Sequence, residues 1–304
     1  MKKRRRARTK VLEEFIAAEN LLEKAGLLEA KLPISLDAVI DYLGKEGLEL
    51  RYYSPQDAPE SIKSVATNVD EVLVRQERGA TLFVNTDRPK VRLRFSISHG
   101  IGHFVLPGHQ GLNYLKRGCS TNVPRTNRPY ERQADRFAAA LNMPARRFAI
   151  DMSHLPFGMQ SVEKLAERYS ASVESAAIHY ITMATEPLAL IRMDRDYEKH
   201  GLLIPDSHLR VRYQVSNSLF PYRIKQGTDI PLSSDLFWRS SQDEYLTSGV
   251  VNGEDLGLEP GIIVWVDCLP NPIGTVMALL YPGNKEPSMV FSLSKAMKGV
   301  PHGR

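Results

Sequence analysis

Apolar positions recur with a helical period in some parts of the first half of the chain and with a strand-like pattern in others. Capping residues bound the helical stretches, with Gly26 after the first and Ser35 before the second. The predicted elements are a helix from about residue 9 to Gly26, a helix from Ser35 to Gly44, a strand over 48–53, a hairpin over 71–85 that turns at Gly79, and helices over 95–106 and 130–143.

The second half of the chain changes its pattern near Pro187. Before this residue, apolar positions predict two short helices over 161–184, with Ser161 as the N-cap and a turn at 170–172. After it, short β-prone runs occur at 188–193, 209–215, 262–267 and 275–281. We therefore predict an α/β (α+β) chain with a first domain over 1–155, a helical segment over 156–186, a β-rich domain over 187–295 and a tail over 296–304.

Composition and charge narrow the class of protein. The chain has 304 residues and a net charge of +5, but seven basic residues lie within the first ten, so the rest of the chain is net negative. The basic segment could bind nucleic acid, although we interpret it as a solvated terminus. No apolar run is long enough to span a membrane, and charge rather than a signal sequence follows Met1. With only two cysteines, we expect a cytoplasmic protein that has no membrane partner.

Two histidines in the predicted helix over 95–106 carry the first chemical signal. His99 and His103 are four residues apart, so their imidazoles lie on one helical face and can bind the same metal ion. In an otherwise apolar helix, two buried imidazoles need polar partners, and a metal ion supplies one. The pair therefore predicts a zinc site. Gly100 stands where H-E-x-x-H peptidases have their glutamate.

Two residues are candidates for the third zinc ligand. His109 lies six residues after His103, as in metzincins, but the glycine that the metzincin pattern needs is replaced by Leu106. Glu131 lies in the next predicted helix and would complete a His₂Glu set. We favour Glu131 and interpret His109 as a surface residue. Asp135, one turn after Glu131, is placed to accept a hydrogen bond from a ligand imidazole.

These segments resemble the ImmA/IrrE family of zinc metallopeptidases. Residues 92–103 (R-L-R-F-S-I-S-H-G-I-G-H) correspond to the family pattern R-x-R-F-T-L-A-H-E-I-G-H, and residues 131–144 correspond to E-x-x-A-x-x-F-A-x-x-L-L-M-P. The resemblance covers about residues 10–185 and implies a zincin-like domain. It also implies limited proteolysis of a helix-turn-helix repressor in response to DNA damage or phage infection. The β-rich remainder is similar in general to the GAF-like sensory domain of some members.

Gly100 is the main departure from the family pattern. The glutamate at this position takes a proton from zinc-bound water, a contribution of roughly 10² to 10⁴ in rate that glycine cannot supply. Nothing local in the sequence favours glycine here. We interpret the chain as a protease inactivated at this position rather than as a natural pseudo-enzyme. Zinc binding should survive, because the glutamate is not a ligand.

Cys119 suggests a further control of the predicted zinc site. It follows Lys116 and Arg117, which favour the thiolate form that binds zinc. As a fourth ligand, Cys119 would form a cysteine switch that keeps the site latent; alternatively, it is an ordinary loop cysteine. With the switch, the chain would be most similar to the family members that accompany anti-phage CBASS operons, where single-stranded DNA is the activating signal. We expect Cys268 to pack inside the second domain.

A mixture of basic and aromatic residues in the second domain suggests a surface for single-stranded nucleic acid. The residues considered are Arg210, Arg212, Tyr213, Tyr222, Arg223, Trp238 and Arg239. The helical pair over 161–184 is a weaker candidate, because its second helix contains no Lys or Arg to contact phosphates. Two alternative functions remain open, namely a DNA-binding transcription regulator and a zinc-binding pseudo-protease scaffold.

Overall fold

A computed structural model describes residues 2–109, 114–117, 128–195, 198–199, 202–203, 209–240, 246–270 and 275–283. Within these residues the chain divides into two compact units. The first takes its residues from Met1–Phe148 and Glu167–Ser172, and the second takes its residues from Ala149–Ala166 and Val173–Met297. The mixture of helices and sheets confirms the predicted α+β class.

The first unit combines four helices with a four-stranded sheet. Its helices are α1 (Lys2–Lys24), α2 (Leu36–Gly44), α3 (Lys90–Val105) and α4 (Arg128–Asn142). Its strands are β1 (Leu48–Tyr53), β2 (Val69–Arg75), β3 (Ala80–Asn85) and β4 (Tyr114–Arg117), in the order β1-β3-β2-β4. Strand β1 is parallel to β3, whereas the other pairs are antiparallel. A single 3-10 turn, Pro55–Asp57, follows β1.

The β2–β3 hairpin turns at Gly79, as the sequence predicts. Gly79 has φ +94°, and a Cβ at this position would lie 2.1 Å from the carbonyl oxygen of Gly47. The same oxygen accepts a hydrogen bond from the amide of Ala80 at 2.9 Å. Glycine is therefore required both for the positive φ and for the close approach that starts the pairing of β1 with β3.

Helix α3 is held over the sheet by its own arginines. The buried carboxylate of Asp70, on β2, forms ion pairs of 2.7 Å with Arg92 on α3 and with Arg88 just before the helix. Arg94 donates a hydrogen bond to the carbonyl of Ile34 at 2.6 Å. The two arginines of the R-x-R-F segment therefore anchor the helix that carries His99 and His103.

The second unit is built on a six-stranded antiparallel sheet. Its elements are α7 (Val173–Met183), β5 (Ala189–Arg195), β6 (Glu198–Lys199), β7 (Leu202–Leu203), β8 (Leu209–Ser216), β9 (Asp229–Ile230), α8 (Asp235–Ser240), β10 (Thr247–Asn252), a 3-10 turn (Gly253–Leu256), β11 (Ile263–Pro270) and β12 (Thr275–Pro282). The strand order is β10-β11-β12-β5-β8-β9, and β6 pairs separately with β7. Helices α5 (Ala145–Ser153) and α6 (Met159–Tyr169) contribute residues to both units. The assignment of this sheet to a GAF-like domain stays a prediction.

The predicted start of the first helix is wrong. Helix α1 begins at Lys2 rather than near residue 9, because the basic segment consists mainly of Lys and Arg, which are good helix formers. The backbone at residues 2–10 therefore continues the helix instead of forming an extended tail. The end of the helix agrees with the prediction, since Gly26 has φ +70° just beyond Lys24.

The N-cap predicted for α6 is also wrong. Helix α6 begins at Met159, whose amide donates a 2.5 Å hydrogen bond to the carboxylate of Asp267 on β11. Ser161 lies inside the helix and donates its hydroxyl to the carbonyl of Pro156. Asp267, which is distant in sequence, thus accepts a hydrogen bond from an amide at the N-terminus of α6, and its negative charge interacts favourably with the helix dipole.

No helix in the described ranges has the length and apolarity that crossing a bilayer requires.

Candidate metal centre

Helix α3 places two histidines one turn apart on its buried face. His99 and His103 are each 1% exposed, and their ring centroids are 4.6 Å apart. The spacing of four residues in the sequence thus becomes a pair of adjacent imidazoles, as the sequence predicts for a metal site.

Helix α4 brings Glu131 to the same point. Its Oε2 lies 3.5 Å from Nε2 of His99, and its Oε1 lies 3.6 Å from Nε2 of His103. One ligand atom from each of the three residues lies within 4.8 Å of the others. Two imidazole nitrogens and a carboxylate oxygen form a donor set that suits zinc. The residues could therefore hold a metal ion.

The approach of α4 to α3 depends on Gly102. A Cβ on Gly102 would lie 3.0 Å from Cδ1 of Phe137 and 3.3 Å from Cα of Ala134, both on α4. These distances are shorter than an ordinary van der Waals contact, so a side chain here would push the helices apart. The close packing of α3 against α4 therefore favours glycine at position 102, which the sequence alone does not reveal.

The outer partner of His99 is Glu71, which the sequence reasoning missed. Oε1 of Glu71, on β2, lies 2.5 Å from Nδ1 of His99, and both side chains are buried. With a metal ion on Nε2, this contact would hold the proton on Nδ1 and fix the orientation of the ring. A buried glutamate in the apolar run V-D-E-V-L-V is the signal that could have identified it.

Asp135 does not occupy the predicted outer position. Its Oδ1 lies 3.5 Å from Nε2 of His99, which is the nitrogen on the metal side, while Glu71 occupies the Nδ1 side. Asp135 lies one turn after Glu131 on α4, so both carboxylates reach the same imidazole nitrogen. Its position, unlike that of Glu71, faces the centre of the ligand cluster.

His109 is neither a third ligand nor a surface residue. It is fully buried, and its Nδ1 lies 2.8 Å from Nδ1 of His103. Its Nε2 lies 3.3 Å from Oε1 of Gln133. If His103 uses Nε2 for a metal, its Nδ1–H donates to His109, and the Nε2–H of His109 donates to Gln133. Arg75 supports this arrangement by donating to the carbonyl oxygens of His103 at 2.8 Å and His109 at 3.4 Å.

Burial and charge favour the ligand-competent protonation states of His103 and Glu131. Burial lowers the pKa of His103 to about 4 and outweighs the opposing effect of its hydrogen bond with Glu131. Burial also lowers the pKa of His109. Burial acts to raise the pKa of Glu131, but hydrogen bonds and charge interactions with His103 and His99 hold it well below its usual value. Neutral imidazoles and an ionised carboxylate are the forms that bind metal ions.

Gly100 faces the sheet beneath α3, where Leu82 leaves no room for a side chain. A Cβ on Gly100 would lie 2.3 Å from Cδ1 and 2.7 Å from Cδ2 of Leu82, which is fully buried on β3. A larger residue at position 100 therefore requires Leu82 to move. The sequence alone suggests no local reason for this glycine, whereas the packing supplies one.

The two cysteines differ in what the structure shows. Cys119 lies outside the described residues, so its role as a zinc ligand stays a prediction. Cys268 packs in the hydrophobic core of the second unit, as predicted. Burial raises the pKa of its thiol to about 12, which keeps it protonated at neutral pH.

Most of the residues suggested for nucleic-acid binding have partners within the protein. Arg210 pairs with Asp229 and Arg212 pairs with Asp194, each at 2.7 Å. The other contacts are those of Tyr213 with Glu174, of Tyr222 with the core residue Phe220, and of Arg239 with the carbonyl of Ser248. Trp238 and Arg223 remain exposed. A nucleic-acid surface formed by these residues stays a prediction.

Two comparisons with known proteins found a match, one to a family model and one to a solved structure. The M78 peptidase model described as the IrrE N-terminal-like domain matches residues 60–180, which include His99, His103 and Glu131. No curated protein matches the sequence. A solved structure of a Mycobacterium tuberculosis transcriptional regulator is similar with a TM-score of 0.55 and 13% identity, over 89% of this chain and 76% of that one. At this identity, the likeness indicates a shared fold. Residues 60–180 are thus similar to the IrrE N-terminal-like domain, which supports the resemblance to the ImmA/IrrE family.

Proposed function

We propose that this protein is a zinc-binding metallopeptidase of the ImmA/IrrE type whose substrate is a helix-turn-helix transcriptional repressor. The observation that carries the proposal is the convergence of His99, His103 and Glu131 on one point. Zinc in such a site would activate a water molecule and polarise the scissile carbonyl. The trigger we propose is DNA damage or phage infection, with single-stranded DNA as the signal.

The residues of the chain support binding better than they support hydrolysis. Glu71 and His109 fix the tautomers of the two histidine ligands, and Glu131 supplies the third ligand. Gly100 provides no carboxylate at the position of the general base, so the proton transfer that accelerates hydrolysis by roughly 10² to 10⁴ is missing. We therefore propose that the chain with Gly100 binds zinc and hydrolyses its substrate poorly.

A zinc-binding pseudo-protease is the second candidate function. The packing of Leu82 against Gly100 favours it, because the space that the missing side chain would need is filled. Such a protein would bind the repressor without cleaving it, or would act as a scaffold.

Metal content and repressor cleavage test these proposals in sequence. We expect about one zinc per chain by elemental analysis, lost in His99→Ala, His103→Ala and Glu131→Ala but retained in the control His154→Ala, since His154 is exposed. Full zinc in the three ligand variants would contradict the site.

Restoration of the glutamate then separates the two candidates. Gly100→Glu combined with Leu82→Ala, incubated with candidate repressors and single-stranded DNA, should cleave a repressor if the fold is that of a protease. Absence of cleavage in a variant that retains zinc would favour the pseudo-protease. Strong binding to duplex DNA that requires residues 2–10 and is insensitive to chelators would instead favour a transcription regulator.

A further inference from the structure

A pocket in the first unit lies on the face of α3 that is turned away from the metal centre. It encloses about 310 Å³ and is lined by residues of α3, by the start of α2 and by the end of β1. Lys90, Arg94 and Ile97 line it from one side of α3, whereas His99 and His103 project from the other side of the same helix. The pocket is therefore separate from the ligands of the proposed metal site.

Arg94 brings to this pocket a positive charge that the protein does not neutralise. Its Nη2 donates to the carbonyl oxygen of Ile34 at 2.6 Å, but its Nε is buried without a hydrogen-bond partner in the described part of the chain. Burial lowers the pKa of the guanidinium, and no carboxylate of the described residues forms an ion pair with it. A partly buried cation without a counter-ion costs free energy, so Arg94 favours an anion in the pocket.

The other charged residues of the pocket set the charge of the anion that fits. Lys90 lies one turn before Arg94, is exposed and also forms no ion pair with a described residue. The first turn of α2 lines the pocket as well, and the N-terminal end of a helix favours negative charge. Asp37 in this turn is the one carboxylate among the lining residues. Two cations and one carboxylate leave a single positive charge, which a monoanion balances.

Most of the remaining lining residues are apolar. Ile34, Leu36 and Ile97 are buried, with at most 6% of their surface exposed, and Leu93 is partly buried. Contact of a hydrocarbon group with such side chains removes apolar surface from water and is favourable. The volume of the pocket lies at the lower end of the range that small-molecule sites occupy, roughly 300 to 1,000 Å³.

We propose that this pocket binds a small organic acid that carries one carboxylate on an apolar body. The carboxylate accepts hydrogen bonds from Arg94 and Lys90, and the apolar body packs against Ile34, Leu93 and Ile97. The inference goes beyond the proposed function, because none of these residues belongs to the metal centre.

Titration of the protein with hexanoate tests the proposal. Isothermal titration calorimetry compares hexanoate with hexanamide, which has the same shape and no charge, and with inorganic phosphate, which has charge and no apolar body. We expect hexanoate to bind at least about 10-fold more tightly than either of the other two, because a hydrogen bond to a charged group contributes about this factor in affinity.

Variants of the lining residues locate the binding. Arg94→Met should weaken hexanoate binding by about 10-fold or more, and Lys90→Met should weaken it less because Lys90 is exposed. Since Arg94→Met also removes the hydrogen bond to Ile34, a second variant keeps both cations: Leu93→Phe fills part of the pocket and should weaken binding by excluding the hydrocarbon chain. Lys45→Met is the control, because Lys45 is exposed at the other end of α2. Circular dichroism verifies that each variant is folded.

Carboxylates also bind zinc, so the titration is repeated with the His99→Ala protein, which should retain full affinity for hexanoate. Loss of binding in this variant would place the carboxylate at the metal centre and overturn the proposal. Absence of hexanoate binding, equal binding of hexanoate and hexanamide, or full affinity in both Arg94→Met and Leu93→Phe would overturn it as well. None of these results depends on zinc content or repressor cleavage, which separates failure of this inference from failure of the proposed function.

Discussion

Glu71 lies 2.5 Å from Nδ1 of His99, on the opposite side of the imidazole from Glu131. Residues from β2 and α4 therefore contact the imidazole of His99 on α3 from two sides. Glu71 orients the ring, and Glu131 faces the position of the metal. Such carboxylate–histidine–metal arrangements increase the basicity of the ligand nitrogen and fix its direction. Glu71 is thus part of the centre although it would not touch the ion.

Removal of Glu71 should weaken metal binding without removing a ligand. We expect Glu71→Ala to raise the zinc dissociation constant by about 10- to 100-fold and Glu71→Gln to raise it less, because the amide oxygen still accepts from Nδ1–H. Chelator competition measures both constants. Glu46→Ala is the control, since Glu46 is exposed beyond α2. Equal affinity in Glu71→Ala and Glu46→Ala would refute the role of Glu71.

His109 should matter through His103. We expect His109→Ala to destabilise the fold and to weaken zinc binding, because His103 loses its Nδ1 partner and a buried cavity forms. The loss of zinc affinity should be smaller than that in His103→Ala, which removes a ligand. Chelator competition and thermal unfolding provide the measurements, with exposed His154→Ala as the control. Complete loss of zinc from folded His109→Ala protein would instead indicate that His109 is a ligand.

Two glycines in helices should respond in opposite ways to alanine. Gly44→Ala, which has no neighbour within 4 Å of the new methyl group, should stabilise the protein by up to about 1 kcal/mol. Gly100→Ala should destabilise it by about 1 to 2 kcal/mol, because the methyl group overlaps the buried side chain of Leu82. Chemical denaturation of each variant measures the free energy of unfolding.

Coupling to Leu82 identifies the cause of the Gly100 effect. In Gly100→Ala combined with Leu82→Ala, the new methyl group occupies space that the leucine has vacated, so the double variant should lose less stability than the sum of the single variants. Additive losses would show that overlap with Leu82 is not the reason for the destabilisation.

The buried carboxylate of Glu14 on α1 predicts that its replacement by a neutral residue stabilises the protein in a pH-dependent way. Glu14 is 1% exposed, and its Oε1 lies 3.5 Å from Nη1 of Arg136. Burial is the main reason that its pKa is raised above 4.5 in the folded state. Ionisation of Glu14 therefore costs folding free energy at pH 7, and this cost disappears once the carboxyl is protonated in both folded and unfolded states, below pH 4.5.

Glu14→Gln should consequently raise the midpoint of thermal unfolding at pH 7, and the gain should shrink as the pH falls towards 4.5. Glu13→Gln, at the exposed neighbouring position, is the control and should show no such trend. A gain that stays constant with pH would indicate a packing effect and not relief of a buried charge.

The sequence revealed those parts of the site that lie close together in the chain. The pair His99 and His103 follows from helical spacing, and the E-x-x-A-x-x-F segment identifies Glu131. Glu71 stands out locally as an acidic residue in an apolar run, but its contact with His99 depends on how β2 packs against α3, which the local pattern does not encode. His109 was misjudged because a residue beside a Pro-Gly turn is usually exposed, whereas packing against His103 and Tyr130 buries it.

Tertiary contacts likewise explain the errors in the fold. The carboxylate that caps α6 belongs to Asp267, on a strand more than 100 residues later in the chain. Local sequence could not reveal this partner, and Ser161 was therefore wrongly predicted as the N-cap. The parallel pairing of β1 with β3 depends on the contact between Gly47 and Gly79, which sequence pattern alone does not predict. Strand β10 and helix α8 were missed because short elements carry little periodicity.

Gly102 has a consequence for ion selectivity. Because its hydrogen lies where a methyl group would touch Phe137 and Ala134, the separation of α3 and α4 is close to its lower limit. The histidines project from one of these helices and Glu131 from the other, so the same separation would limit the radius of an ion that all three contact together. Bonds to Ca²⁺ are longer than bonds to Zn²⁺ by a few tenths of an ångström, about 2.3 to 2.6 Å against 2.0 to 2.2 Å. The lack of a side chain at Gly102 would thus favour the smaller Zn²⁺ over Ca²⁺, although Gly102 itself contacts no ion.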